Sequence, residues 1–393
     1  MRITEITAAD VLADCPELEP FASTRDGEVF ICANGFEDRA RAVASLLAHD
    51  GARYERAILL TYPSSAWDND SQRADLEAQL RQISDNVVSV DGESHDATFE
   101  AAIAHQMSEA TTAGESIQVL FDISGCSGRF ILRVLRVLFD LANSGADVHL
   151  RIAYTQALRY APTQAEATEI LSARARDPLE TRPASLGLDW DAGEVAHLIE
   201  RPGQHIDHAP DRAIVICGFN ADRIRASLDR IDTDFNVDFP HPRVTYIAGL
   251  PPKPEDRWRL QAMVEINSSD EGIAPEPLTA STLDYRDTLK LLESIYDEHG
   301  GHNKLTVLPF GSKMQSLAVA LFCEAHADVR VQMLAPSRYR SVEYSMGVEA
   351  AHQLELGALS ELSQQLRRIG ELEVASDAGA VPERAFTYDE GDR

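Results

Sequence analysis

Residues 31–42 read ICANGFEDRARA, and residues 215–226 read VICGFNADRIRA. An offset of 184 residues places the Asp-Arg pair of the first stretch, at 38–39, on the Asp-Arg pair of the second, at 222–223. Self-similarity at a fixed separation indicates a repeated structural unit. The chain is therefore predicted to contain two copies of one α/β unit.

Two further segments repeat in the same order. The same offset aligns Ser-Gly-Arg at residues 127–129 with Gly-Ser-Lys at residues 311–313, and each triplet precedes an apolar helical pattern. VHLRIAYTQALRY at 148–160 matches VRVQMLAPSRYR at 329–340 at a similar separation. Three matched segments favour an internal duplication, and a ligand is then expected where the two copies face each other.

In both halves, apolar runs of strand length alternate with helical patterns. GEVFICANG, for example, is an apolar run that ends in an Asn-Gly turn signal and precedes a helical pattern from Glu37 to His49. Such alternation predicts βαβ units and a mostly parallel sheet covered by helices on both faces. The predicted fold class is α/β, with two tandem Rossmann-like halves related by internal duplication and a C-terminal helix.

The length of the chain favours two domains. At 393 residues it is long for a single core, and domains of about 150–200 residues are expected. The predicted division is a first Rossmann-like domain with an N-terminal lead-in at 1–161, a linker at 162–211, a second Rossmann-like domain at 212–347, and a C-terminal helix with an acidic tail at 348–393. The leucine-rich stretch 348–373 is predicted to be helical.

Composition excludes several classes of partner. The net charge is −28, and an acidic surface opposes duplex nucleic acid because phosphate neutralisation drives that binding. No apolar run approaches the roughly 20 residues that span a bilayer, and the N-terminus lacks the pattern of a signal peptide. Five cysteines without CxxC spacing fit reduced thiols. We expect a cytoplasmic protein with neither a membrane nor a duplex nucleic acid as partner.

Four loops are predicted to form a binding site. In open α/β sheets ligands bind beyond the carboxyl ends of the strands, where these loops meet. Small residues let backbone N–H groups approach an anion, and a helix N-terminus adds partial positive charge. The predicted ligand-binding residues in the loops are Gly35, Asp38, Arg39, Ser127, Gly128, Arg129, Gly218, Asp222, Arg223, Gly311, Ser312 and Lys313. The alternative is structural, since helix capping, tight turns and ion pairs use the same residue types.

Arginine and tyrosine also follow the last strand of each half, at Arg159-Tyr160 and Arg338-Tyr339. Such pairs can stack a nucleobase and bind a phosphate, so all four are predicted to contact the ligand. The alternative here is an exposed polar loop.

Signatures of familiar catalytic and cofactor sites are absent from the sequence. It contains neither GxxxxGK[ST] nor GxGxxG, and neither a Gly-x-Ser-x-Gly elbow nor HExxH. We therefore predict no cofactor and no metal. Asp122, Ser124 and Lys313 remain candidate catalytic residues for phosphoryl transfer, although the acid is not repeated, since Pro309 and Phe310 stand in the second half.

The Gly311-Ser312-Lys313 step, which follows an apolar strand and opens an apolar helix, resembles the ligand loop of CRISPR-associated Rossmann-fold (CARF-like) domains. Those sensors carry a Gly-[Ser/Thr]-[Lys/Arg] step after a late central strand and bind cyclic oligoadenylates across a twofold interface. Gly128-Arg129 fits that step less closely. Their early loop also follows the first strand, where GFEDR and GFNADR stand here. Such sensors usually carry an attached effector domain, which this sequence does not show.

The resemblance implies a sensor or regulatory protein of a prokaryotic antiviral defence system. Its expected ligand is an anionic nucleotide-type molecule, including a cyclic oligonucleotide, and its expected partner is a separate effector protein. Two other functions stay open. One is a non-enzymatic scaffold or adaptor for a nuclease or ATPase, and the other is a nucleotide-cleaving enzyme that uses Asp122 and Lys313.

The two halves are predicted to make different contacts with the ligand. Carboxylates close to a phosphate repel it, and the first half carries Glu37 and Asp122 near its strand ends. Phosphate contact is therefore expected mainly from Gly311, Ser312 and Lys313. The first half is expected to present Asp122 or Glu37 to a hydroxyl, a base amine or a partner's basic side chain.

Overall fold

The computed structural model describes residues 15–23, 26–62, 70–110, 116–176, 195–203, 208–237, 239–268, 275–336 and 344–371. The predicted acidic tail lies outside the described residues, as do Arg338 and Tyr339.

Fifteen strands occur in the described part of the chain: β1 Glu19–Pro20, β2 Gly27–Ala33, β3 Tyr54–Thr61, β4 Val87–Asp91, β5 Ile117–Asp122, β6 Val148–Gln156, β7 Arg159–Tyr160, β8 Val195–Arg201, β9 Asp211–Ile216, β10 Val244–Leu250, β11 Leu278–Ser281, β12 Lys304–Pro309, β13 Arg330–Pro336, β14 Ser345–Met346 and β15 Ala350–Ala358. The α-helices described alongside them are α1 Ala42–Asp50, α2 Asp70–Ile83, α3 Asp96–Ser108, α4 Gly128–Asn143, α5 Gln164–Arg176, α6 Ala221–Asp229, α7 Asp234–Val237, α8 Trp258–Ile266, α9 Tyr285–His299, α10 Lys313–Ala325 and α11 Leu359–Glu371. Short 3-10 helices cover Asp38–Arg41 and Pro254–Asp256.

The two halves contain the same parallel sheet. The first sheet has the order β1-β15-β6-β5-β2-β3-β4, and the second has the order β11-β10-β9-β12-β13-β8. Within them, β6-β5-β2-β3-β4 corresponds strand for strand to β13-β12-β9-β10-β11, and every pair in these runs is parallel. The predicted α/β fold of two duplicated Rossmann-like halves is confirmed.

Helices α4 and α10 join the halves through one hydrophobic core. Both follow the central strand β5 or β12 and are buried along most of their length. Helix α10 is buried on nearly all sides, whereas one side of α4 carries Arg129, Arg133 and Arg136. The two helices pack against each other, and the largest buried cluster contains side chains from both halves, such as Phe130 and Phe322. A Cβ built on Gly128 would lie 3.0 Å from Ser316 Oγ, so the two helices meet closely at their N-termini.

Each parallel sheet gains an antiparallel strand from outside its own unit. Strand β8, in the predicted linker, pairs with β13 of the second half. Strand β15 crosses back from the end of the chain and pairs with β6 of the first half. The segment predicted to be a linker therefore contains the helix α5 and contributes β8 to a sheet.

The predicted helix at 348–373 is wrong for its first part. Residues Ala350–Ala358 form β15, and the helix begins at Leu359. Leu354 and Leu356 are buried while Glu355 between them is exposed, which is the two-residue period of a strand. Leu354 and Leu356 also fit a helical pattern when they are read together with the leucines of α11. Pairing with β6 determines that this segment is a strand.

Candidate functional site

A cavity of about 540 Å³ lies between the two halves, at the carboxyl ends of both parallel sheets. The loops after β2, β5, β9 and β12 all contribute to its lining. Most of the predicted ligand-binding residues line it: Gly35, Arg39, Ser127, Gly128, Arg129, Arg159, Tyr160, Gly218, Arg223, Gly311, Ser312 and Lys313. The structure thus brings together in one place the loops that the repeat singled out.

Lys313 of the second half reaches across the cavity to the first half. Its Nζ lies 3.4 Å from Glu37 Oε1 and donates to the carbonyl oxygen of Cys126 at 2.6 Å. The side chains of Lys313 and Glu37 are 15% and 6% exposed, so the ion pair is largely shielded from water. The lysine that was predicted to contact phosphate is therefore held by a carboxylate of the other half.

Glu37 is the centre of a network that includes Arg39. The guanidinium of Arg39 forms a buried ion pair with Glu37 and donates to the hydroxyls of Tyr154 at 3.2 Å and Tyr160 at 3.1 Å. The second oxygen of Glu37 also accepts from Ser345 Oγ at 2.9 Å. One carboxylate thus joins two cations and a hydroxyl from three distant parts of the chain.

The charges of this network perturb one another. Burial alone would raise the pKa of Glu37, but the adjacent Arg39 and Lys313 outweigh it and lower the pKa to about 2. Burial also lowers the pKa of Lys313, and its pairing with Glu37 opposes that shift. The carboxylate is thus ionised at neutral pH, as an ion pair with two cations requires.

The turn before each apolar helix is built by a serine cap. Ser127 accepts from the backbone N–H of Phe130 at 3.2 Å, and Ser312 accepts from that of Gln315 at 3.1 Å, with the Gln315 side chain completing a capping box. In the first half Gly35 packs beside this turn, where a Cβ would lie 2.6 Å from the carbonyl oxygen of Gly125. Capping and tight packing explain these small residues, while the first N–H groups of both helices lack intrahelical partners.

The caps shift the sequence alignment by one residue. Ser127 corresponds to Ser312, so Lys313 corresponds to Gly128 rather than to Arg129. Because Ile31 pairs with Phe121 and Val215 with Leu308, the loop before the cap is also two residues shorter in the second half. The basic residues of the two triplets are therefore not equivalent positions.

Arg129 consequently has a different environment from Lys313. Its guanidinium forms ion pairs with Glu93 and with Glu200 of β8, the latter at 2.8 Å. Glu200 is buried, and burial raises its pKa while Arg129 opposes the shift. Two carboxylates already neutralise Arg129, which makes it a weaker candidate for phosphate contact than its sequence position indicated.

The candidate catalytic residues Asp122 and Ser124 lie behind the cavity wall. Both are fully buried, and neither lines the cavity. Asp122 Oδ1 accepts from the backbone N–H and the hydroxyl of Ser124, and Oδ2 has no hydrogen-bond partner among the described residues. Burial raises the pKa of Asp122 to about 7, against the opposing effect of these hydrogen bonds.

Asp38 and Asp222 also lie outside the lining. Asp38 accepts from the backbone N–H of Gly347 at 3.0 Å and pairs with Arg41 at 3.6 Å, and Asp222 pairs with Arg225 at 3.9 Å. Both aspartates lie in the first turn of a helix and pair with an arginine three residues later. This is the ion-pairing role given above as the alternative to ligand binding.

A small flap covers part of the cavity. We define the flap as residues 157–163, which contain β7, and residues 344–349, which contain β14; these strands pair antiparallel. Its inner side chains, including Tyr160 and Ser345, bond to the Arg39–Glu37 pair. The flap therefore contacts the charged network on one side of the cavity.

Arg259 of α8 is a lining residue that the sequence analysis missed. It donates to the carbonyls of Tyr160 at 3.1 Å, Ala161 at 2.7 Å and Pro162 at 2.7 Å, and its guanidinium lies over the rings of Phe219 and Trp258. These partners are neutral, so Arg259 brings positive charge to the cavity. A signal existed, because Pro251-Pro252 ends β10 at the same sheet edge and its loop leads into α8.

The described lining is more basic and aromatic than the chain as a whole. Seven Lys and Arg side chains line the cavity against four of Asp and Glu, in a chain of net charge −28. The cations are Arg39, Arg129, Arg159, Arg223, Lys253, Arg259 and Lys313. The aromatic residues are Phe36, Tyr62, Tyr154, Tyr160, Phe219, Trp258, Phe310 and Tyr344. Such a surface suits a ligand with negative charge and flat rings.

No protein-family model matches the chain, and no curated protein matches its sequence. Among solved structures, a C2-type ketoreductase from a modular polyketide synthase is similar at 12% sequence identity over 79% of each chain, with a TM-score of 0.20. A likeness at this level carries no argument about this chain.

Two further findings concern the described residues. None of their helices combines the length and apolar composition that crossing a bilayer requires. They also contain no group of three or more His, Cys, Asp or Glu side chains placed to hold a metal ion.

Proposed function

We propose that this chain is a sensor or regulatory protein of a prokaryotic antiviral defence system, which binds an anionic nucleotide-type ligand between its two halves and acts with a separate effector protein. The observation that carries the proposal is the shared cavity, whose lining is basic and aromatic in a strongly acidic chain. Positive charge attracts phosphate, and aromatic faces stack nucleobases. The relationship to CARF-like sensors belongs to this proposal, and rests on the Gly311-Ser312-Lys313 step.

Phosphate is proposed to bind at the N-terminus of α10. Lys313 has one carboxylate partner, which also serves Arg39, whereas Arg129 has two. The first N–H groups of α10 add donors and partial positive charge. Glu37 then competes with the ligand for Lys313, so the first half tunes the affinity of the second.

The alternatives differ in what supports them. For a nucleotide-cleaving enzyme that uses Asp122 and Lys313, the cavity supplies only the lysine, because Asp122 is buried outside its lining. A scaffold that binds no small ligand would not explain the basic lining. The scaffold function is one outcome of the following experiment.

We expect Lys313→Ala to weaken nucleotide binding roughly ten- to hundredfold, because a charge-assisted contact is worth about 1.5–3 kcal/mol. Mass spectrometry of small molecules released from the denatured protein identifies the ligand class, and titration calorimetry with that nucleotide measures the affinity. Lys290→Ala, on the exposed side of α9, is the matched control and should bind like the wild type. If both Lys313→Ala and Arg129→Ala keep the fold and the wild-type affinity, the scaffold function is the alternative that remains.

A further inference from the structure

Arg259 differs in its partners from most other cations of the cavity. Four of those cations pair with at least one carboxylate, namely Arg39, Arg129, Lys253 and Lys313. In the described part of the chain Arg259 forms no ion pair, although a carboxylate three residues earlier lines the same cavity. Its charge is therefore available to an anionic ligand.

Backbone carbonyls of the flap hold this guanidinium in place. Its Nη1 donates to the carbonyls of Tyr160 and Pro162, and its Nη2 donates to that of Ala161. The guanidinium carbon also lies over two rings, 4.9 Å from the centre of Phe219 and 5.2 Å from that of Trp258. The group is thus fixed before a ligand arrives, which reduces the conformational entropy that binding would cost.

One edge of the guanidinium remains unused. Arginine carries one N–H on Nε and two on each Nη. Among the described residues Nη2 of Arg259 has one acceptor and Nε has none, so each keeps one N–H for a ligand. This Nε is not sealed in the core, in contrast to the unpartnered Nε of Arg133. Two N–H groups side by side match two oxygens of one phosphate.

Burial makes an anion favourable at this position. It lowers the pKa of Arg259, because removal from water disfavours the charged form, and Asp256 opposes the shift. A phosphate on the free edge would compensate for the lost hydration more closely than Asp256 does, since Asp256 makes no ion pair with the guanidinium in the described structure.

Arg259 and Lys313 belong to different loops at the same edge of the second sheet. The first follows β10 and the second follows β12, and β9 lies between these strands. At a strand spacing of about 4.8 Å, the ends of β10 and β12 are about 10 Å apart. We therefore expect the two cations to contact different groups of one ligand.

We propose that Arg259 forms a second anion-binding subsite of the cavity, beside the flap, which takes a phosphate other than the one at the N-terminus of α10. The ligand is then a nucleotide with at least two separate phosphate groups, long enough to span the loops after β10 and β12. This inference rests on the proposed function and narrows its ligand class.

The test uses titration calorimetry on the full-length chain. Its probes are 5′-phosphorylated ribonucleotides of one, two and three residues, each made with adenine, guanine, cytosine or uracil. We expect Arg259→Met to weaken binding of the two- or three-residue probe by about tenfold or more, and to leave binding of the one-residue probe unchanged. Lys313→Ala should weaken binding of all lengths. Arg259→Lys keeps the charge but lacks the planar edge, so it should retain only part of the affinity.

Arg257→Met is the matched control. It removes the same charge two residues away, at an exposed position outside the cavity lining, and should bind every probe like the wild type. Equal weakening of all probe lengths by Arg259→Met would mean that Arg259 only holds the flap, and the subsite would be refuted.

Two further outcomes separate this inference from the proposed function. If Arg259→Met binds every probe like the wild type while Lys313→Ala does not, the subsite is wrong and the proposed function stands. If the wild-type protein binds none of the probes, both are wrong.

Discussion

We expect Arg39→Met to lower the free energy of unfolding by about 3–5 kcal/mol, because it leaves a buried carboxylate without its nearest cation. Arg39 is 3% exposed, and besides pairing with Glu37 it donates to two tyrosine hydroxyls and to the carbonyl of Thr155 at 3.3 Å. Methionine fills a similar volume but offers no donor to any of these acceptors. Urea denaturation at pH 7, followed by circular dichroism, measures the change.

Arg41→Met is the matched control, two residues further along. Arg41 pairs with Asp75 at 3.4 Å, but its side chain is 29% exposed and that of Asp75 is 64% exposed. Exposed ion pairs contribute at most about 1 kcal/mol, so this variant should stay near the wild-type stability. The double variant Glu37→Gln with Arg39→Met should recover only part of the loss, because it removes the uncompensated carboxylate of this network but leaves Lys313 without its ion-pair partner. Equal losses from Arg39→Met and Arg41→Met would refute the role of the buried network.

The second large effect is a decline in stability between about pH 4 and pH 7 that depends on Asp122. Burial raises the pKa of Asp122 from 3.8 to about 7 in the folded chain. The folded state therefore retains a proton that the unfolded chain releases, so this contribution is full below the unfolded pKa and is lost as pH rises through the folded one. The shift corresponds to about 4 kcal/mol, since one pKa unit is worth about 1.4 kcal/mol.

Asp122→Asn should remove this pH dependence. The asparagine oxygen can still accept from the backbone N–H and hydroxyl of Ser124, and no charge is created on raising the pH. Urea denaturation at pH 5 and pH 8 should then give similar free energies for the variant and a lower value at pH 8 for the wild type. Asp75→Asn, at an exposed position, should keep the wild-type difference.

Glu37 does not interfere with that measurement. Its neighbours Arg39 and Lys313 overcome the effect of burial and lower its pKa to about 2, so it stays ionised from pH 5 to pH 8. Its contribution to stability is present above the unfolded pKa and is lost only as pH falls towards 2. A wild-type stability that is equal at pH 5 and pH 8 would therefore mean that Asp122 is not protonated in the folded chain.

The sequence predicted those features of the fold that depend on short-range sequence patterns. The repeat of GFEDR and GFNADR implied two copies of one unit, and the five parallel strands of each sheet have the same order. Alternating apolar runs and helical patterns predicted parallel sheets with loops gathered at one edge, where the cavity lies. These features follow from the two-residue period of strands, the longer period of helices and the preferences of turns, all of which act over a few residues.

The tertiary structure alone decided which side chains meet across the halves. Lys313 pairs with Glu37, Ser345 bonds to the same carboxylate, and Arg259 donates to the carbonyl of Tyr160. None of these contacts has a local signal, because each joins residues that are distant in the chain and depends on how α4 and α10 pack the halves together. Strand β15 also depends on the tertiary structure, since Leu354 and Leu356 fit either the strand or the helix period until β6 supplies a hydrogen-bonding partner.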